Sequence, residues 1–195
     1  MKLIEQAEIS LEWVDADNLH EHPVPQHIRS TDKVHVTDIL RYIAVQSGKL
    51  DDSDRSDEMP TCVLLGMGWE WACARLYPEM WWQAGEVEKD GIAGSPDGLS
   101  AKVGAIEGKS GVRVYDEPCV EEFKYTKKSM RKPGGKPDEM KDINTEWMWC
   151  QQVLSYMAMS EYSPRLIRFH VLWSRGNYDY SGGGNRERYV RYLFI

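Results

Sequence analysis

The stretch that decides the fold is Cys119-Val120-Glu121-Glu122-Phe123-Lys124-Tyr125-Thr126. Successive side chains of a strand point to opposite faces, so Cys119, Glu121, Phe123 and Tyr125 share one side and Val120, Glu122, Lys124 and Thr126 the other. Glu122 and Lys124 therefore project the same way, two residues apart. Two further acid-x-Lys triplets occur, Glu107-x-Lys109 and Glu139-x-Lys141. They sit in a Gly-rich stretch and a Pro/Gly-rich loop, whereas only Glu122-x-Lys124 lies on an apolar strand.

Working outward, Thr37 is placed to cap a helix that runs to about Ser47 and stops at Gly48. A second helix is expected over about Cys62 to Leu76, ended by Pro78. Short strands over about 84–88 and 91–93 are joined at Lys89-Asp90, and a further strand covers 112–115. Trp147 to Ser160 is apolar nearly all round and reads as a buried helix. Strands over 166–173 and 189–195 follow, separated by the Gly-rich loop 181–185. This order predicts an α/β fold in which helices flank a mixed central sheet.

The chain has 195 residues, 42% hydrophobic and 28% charged, with a net charge of −7. That is globular composition, sufficient for a sizeable core. The longest nearly uncharged apolar run, Thr61 to Trp69, is too short to span a bilayer, so no membrane partner is expected. Glu5 and Glu8 follow Leu3-Ile4 directly, which leaves no signal-peptide core and implies a cytoplasmic protein. Cys62, Cys73, Cys119 and Cys150 contain no C-x-x-C pair and read as reduced, buried thiols rather than zinc ligands. His20, His22 and His27 cluster in a Pro-containing stretch, where a plain loop is preferred and a transient metal site is the alternative, and His170 alternates with Arg168 along what reads as the polar face of a strand.

An acidic total argues against a nucleic-acid partner, but the charge is segregated. Residues 1–58 hold 13 acidic and 6 basic side chains, while residues 59–195 hold 18 of each. The reading is an acidic N-terminal extension over 1–58, packed on or leading into a core domain over 59–195. Within the core, Lys127, Lys128, Arg131, Lys132 and Lys136 follow the decisive strand with no intervening acid, and six arginines lie between Arg165 and Arg191. Either group is a solvated charge run or a polyanion footprint.

Other residues break local rules, which is where function is to be sought. Val63, Met67, Glu70 and Ala74 fall on one stripe of the second helix, placing the Glu70 carboxylate on a core-facing surface. It is either paired, for instance with Arg75, or bound to a cation. Gly94-Ser95-Pro96-Asp97-Gly98 is a turn signal, since Pro sets φ and Gly accepts positive φ. Gln152 and Tyr156 stand one helical turn apart amid apolar neighbours, either as a satisfied core pair or bonding the same object.

Together these residues resemble the PD-(D/E)xK nuclease superfamily, whose fold is restriction-endonuclease-like. Pro96-Asp97 followed by Glu122-Phe123-Lys124 matches the motif that names it, and Gln152-Val153-Leu154-Ser155-Tyr156 is similar to the Q-x-x-x-Y element of the RecB/Cas4-like and lambda-type phage exonuclease branches. Glu70 precedes the hairpin where those branches often carry an extra acid. The likeness covers about 61–173. Residues 1–58 have no counterpart, Thr126 stands where many relatives have proline, and no cysteine follows Cys150, which speaks against the iron–sulfur cluster of some relatives.

The resemblance implies a Mg²⁺-dependent DNA nuclease, Mn²⁺ being an alternative ion, that acts as an exonuclease in recombination or DNA processing in a bacterial or phage-infected cell. It implies Asp97, Glu122, Lys124 and Gln152 as catalytic residues, with Asp97, Glu122, Glu70 and the carbonyl of Phe123 holding the metal. Tyr156, Lys127, Lys128, Arg131 and Lys132 are implied to bind the DNA, and a homo-oligomer or a recombination partner protein is compatible with it. Two alternatives remain open at this point: a nuclease-like domain that binds DNA or a protein without cleavage, and a small-molecule phosphohydrolase with an unrelated Mg²⁺ site.

Overall fold

The computed structural model describes residues 1–9, 32–50, 61–76, 85–100, 103–108, 111–115, 117–126, 142–174 and 188–195. Within them lies a mixed α/β architecture. Ten strands are present: β1 Leu3–Ile9, β2 Val34–His35, β3 Val87–Lys89, β4 Ile92–Gly94, β5 Gly98–Ser100, β6 Val103–Gly108, β7 Gly111–Tyr115, β8 Cys119–Thr126, β9 Leu166–Trp173 and β10 Arg188–Phe194. The helices are α1 Val36–Gln46, α2 Thr61–Leu76 and α3 Trp147–Met159.

The central sheet runs β1-β10-β9-β8-β5. β8 and β9 are parallel, with Glu121 opposite Arg168 and Glu122 opposite Phe169, and the other three pairings are antiparallel. A parallel pair needs a crossover connection, and α3 lies within it. A smaller sheet has the order β2-β4-β3, and β6 and β7 form a hairpin.

The period-two reading of β8 gives two differently covered faces. Val120, with Leu99, Tyr156, Val36 and Leu40, makes a core between the sheet, α3 and α1. Phe123, on the opposite face, packs with Trp69 and Cys73 of α2. A third core joins α3, through Val153, to the odd-numbered residues of β9 and to Val190, Tyr192 and Phe194 of β10.

Several expectations need correction. His35, not Thr37, is the N-cap of α1, and its side chain makes no capping bond; the β2–β4 pairing fixes where the chain turns into the helix. The β3–β4 loop is Asp90-Gly91, both at positive φ (55° and 78°), one residue later than predicted. A two-residue Asp-Gly loop of this kind matches the twist of the flanking strands. Met67 is 49% exposed and so does not share the buried face of α2; Glu70 is buried as expected, and Trp69 and Cys73 are buried with it. α3 is buried along Cys150, Val153 and Tyr156 only, with Leu154 exposed.

β1, from the acidic N-terminal third, forms one edge of the central sheet against β10. Gly98 opens β5 opposite Glu121 and is not among the glycines at positive φ, so Pro96-Asp97-Gly98 is not a free-standing turn of the type its sequence suggests. Cys73, Cys119 and Cys150 are free, buried thiols. Cys62 and the histidine cluster at 20–27 yield no description, the histidines lying outside the described residues. Among the described residues, no helix is long and apolar enough to cross a membrane.

Candidate active site

Asp97 lies between β4 and β5, at the end of a short excursion whose return strand pairs with β8. Its Oδ2 accepts the Phe123 backbone N–H at 2.7 Å. That bond ties the Pro-Asp loop to β8 beside Glu122. Glu122 itself is fully buried, and its Oε1 accepts a hydrogen bond from Lys124 Nζ. Lys124 Nζ also donates to Gln152 Oε1 at 3.3 Å. Gln152 Nε2 in turn donates to the Tyr156 hydroxyl at 2.7 Å.

The structure thus brings together Asp97, Glu122, Phe123, Lys124, Gln152 and Tyr156. Glu70 is buried on α2, against the Phe123 face of the same strand, and its charge is felt at Asp97, Glu122 and Lys124. Lys127, Lys128, Arg131 and Lys132 lie outside the described residues. The Phe123 amide makes the bond to Asp97, a contact that sequence reasoning did not anticipate.

The electrostatics are those of crowded like charges. Burial, with Glu122 close by, raises the Asp97 carboxyl well above its usual value. Burial likewise raises Glu122, and Glu70 adds to the effect, against the opposing pull of Lys124. For Lys124, burial works to lower the pKa but the carboxylates of Glu122 and Asp97 outweigh it, so the net shift is upward. The ammonium is thereby kept charged at neutral pH.

A divalent cation fits this donor set. Glu122 Oε2 is buried with no hydrogen-bond partner among the described residues, an arrangement that is costly unless a cation satisfies it. Mg²⁺ takes one or two carboxylates and retains waters, so it does not need a cage of protein ligands. Among the described residues, no group of three or more His, Cys, Asp or Glu is placed to hold a metal ion.

A stability consequence follows from the raised Asp97. A carboxyl whose folded pKa exceeds its unfolded one supports the fold below the unfolded value, and that support is lost as pH rises through the folded value. Asp97→Asn keeps an oxygen for the Phe123 N–H and removes the charge. In metal-free protein at pH 8 it is expected to raise the melting temperature by about 2–5 °C. Calorimetry at pH 8 and pH 5 checks this, the gain shrinking at the lower pH.

On the other face of β8 lies a cluster that sequence reasoning missed. Glu121 Oε1 accepts from Arg168 Nη2 (2.6 Å) and from Ser100 Oγ (2.6 Å), and its Oε2 accepts from Arg168 Nε (2.7 Å) and pairs with His170 Nε2 (2.8 Å). The alternating Arg168 and His170 read as a solvated face, but both are buried, at 1% and 3% exposure. Arg168 is thus removed from the basic surface that the C-terminal arginines suggested. Phe123 stacks on the His170 ring at 4.5 Å, and Trp69 Nε1 donates to the His170 carbonyl at 3.1 Å.

Compared with known protein families, curated proteins and solved structures, the chain matches none.

Proposed function

We propose that the protein is a metal-dependent deoxyribonuclease of the restriction-endonuclease-like type, an exonuclease of DNA recombination or processing. The observation that best supports this is the joining of Asp97, Glu122 and Lys124 by the Phe123 N–H and Gln152 around a buried carboxylate oxygen that lacks a partner. Asp97, Glu122 and the Phe123 carbonyl would hold Mg²⁺ or Mn²⁺, with Glu70 as a further acid. Bound there, the ion would offset phosphate charge and acidify a coordinated water.

The chain's own groups divide the remaining work. Lys124, kept protonated by its carboxylate neighbours, donates hydrogen bonds to a phosphate oxygen or to the attacking water, stabilising developing negative charge. It is placed to orient the nucleophile. Gln152, held between Lys124 and Tyr156, limits the directions in which the ammonium can point. The basic run 127–136 leaves β8 directly and is suited to track the DNA backbone.

Purified protein is expected to degrade linear duplex DNA with Mg²⁺, to leave covalently closed circles intact, and to stop on addition of EDTA. Mg²⁺ or Ca²⁺ at about 100 times its dissociation constant is expected to add about 2.7 kcal/mol of stability, an effect lost in Glu122→Gln. Binding of DNA without cleavage in either Mg²⁺ or Mn²⁺ would instead favour a nuclease-like binding domain, and turnover of mononucleotides alone would favour a small-molecule phosphohydrolase.

A further inference from the structure

Gly94 closes β4 and is buried, and its φ is outside the left-handed region, so the backbone does not demand glycine there. Space does. A Cβ at this position would lie 2.5 Å from Tyr156 Cε1, 2.7 Å from Tyr156 Cδ1 and 2.7 Å from Met159 Cε. The Met159 methyl is the end of a flexible chain and can swing aside. The Tyr156 ring cannot, because it is 2% exposed and packed among Val36, Leu40, Leu99 and Val120.

The other end of that ring is held from α3: the Tyr156 oxygen receives the Gln152 Nε2 bond at 2.7 Å. Because Gln152 Oε1 accepts from Lys124, the amide must present its NH₂ to the tyrosine, and the chain of bonds has one direction, from Lys124 to Gln152 to Tyr156.

We propose that Gly94 is a positioning residue, whose missing side chain seats Tyr156 against the β4 backbone and thereby fixes, through Gln152, where the Lys124 ammonium stands. Its consequence for turnover rests on the nuclease reading; the placement of Lys124 does not.

Two readouts test it, turnover of linear DNA and the ¹³Cε resonance of Lys124 in lysine-labelled, metal-free protein, assigned by its loss in Lys124→Ala. Gly94→Ala is expected to lower kcat by about 100-fold, as a misplacement near 1 Å does, with KM for DNA little changed, and to move the Lys124 resonance. In a Tyr156→Val background, Gly94→Ala should do neither, since the ring it displaces is gone. An unmoved resonance, or equal kcat losses in the two backgrounds, overturns the proposal. Should the wild type not cleave DNA, the nuclease reading falls while the resonance comparison still decides the placement. If Gly94→Ala does not fold, Tyr156→Phe takes its place: removing the hydroxyl must move the Lys124 resonance, and an unmoved one overturns the proposal.

Discussion

Lys124→Ala is expected to lower Mg²⁺-dependent cleavage of linear DNA by about 10³-fold while leaving DNA affinity within a few-fold of wild type. Lys124 shares the β8 face with Glu122, bonds it directly, and reaches Gln152 across to α3. A charged donor held beside two acids whose pKa values are raised is a preorganised partner for a phosphate, and its contribution grows as the phosphate gains charge in the transition state. DNA affinity, by contrast, rests mostly on many backbone phosphate contacts. The loss should therefore appear in kcat. Single-turnover kinetics with saturating enzyme would separate the two, and full activity in Lys124→Ala would sink the assignment of the site. Lys124→Arg should not restore the rate, because a broad planar fork does not fit where a compact ammonium, 17% exposed, stands between Glu122 and Gln152.

The largest stability effect is expected at Arg168. Arg168→Met leaves the fully buried Glu121 without its two-bonded cation, and breaking one side of a buried pair costs about 3–5 kcal/mol. For a chain of this length that lowers the melting temperature by about 10 °C. Removing both charges, with Glu121→Gln and Arg168→Met together, should cost less than the single change. A drop under about 1 kcal/mol in the single variant would show that the cluster is not the clamp it resembles.

The same cluster sets the response to acid. For Glu121, burial works upward but Arg168 and His170 outweigh it and hold the carboxyl down to about 2. Its support for the fold is complete above the unfolded value of about 4.5 and is lost as pH falls towards 2. Burial, against the pull of Glu121, lowers His170 to about 4. The unfolded chain takes up that proton below about 6.5 and the folded one does not, so stability also falls between pH 6.5 and 4. Both groups destabilise the fold in acid, in successive windows, and denaturant titrations at pH 7, 5 and 3 would resolve them.

How much of this was legible in the sequence depended on whether the deciding partner was local. β8, β9, β10 and the β3–β4 hairpin carry their own alternation or turn residues, and were readable. β1 was not, because Glu5, Gln6 and Glu8 interrupt its apolar pattern and its partner β10 lies at the far end of the chain. α2 is apolar on every side, so periodicity could not choose its buried face; the bond from Trp69 to β9 marks it. Arg168 and His170 looked solvated because polar alternation usually means water. β9 is a central strand covered on both sides, and the acid that neutralises them comes from a neighbouring strand 47 and 49 residues away. Asp97, Glu122 and Lys124 were readable as a motif, whereas the role of Gly94 depends on where α3 docks.

The pairing of β1 with β10 has a kinetic meaning. Leu3 sits opposite Phe194 and Ile9 opposite Tyr189, so this edge of the sheet closes a loop that contains almost everything else. Contacts so distant along the chain are reached late, since the loop entropy is spent before any contact offsets it. β8, β9 and the helix between them can condense first and place the acids and Lys124. β1 is then expected to dock late, and its amides to exchange with solvent before those of β8. Hydrogen exchange would thus find the molecule opening first at the edge farthest from Lys124.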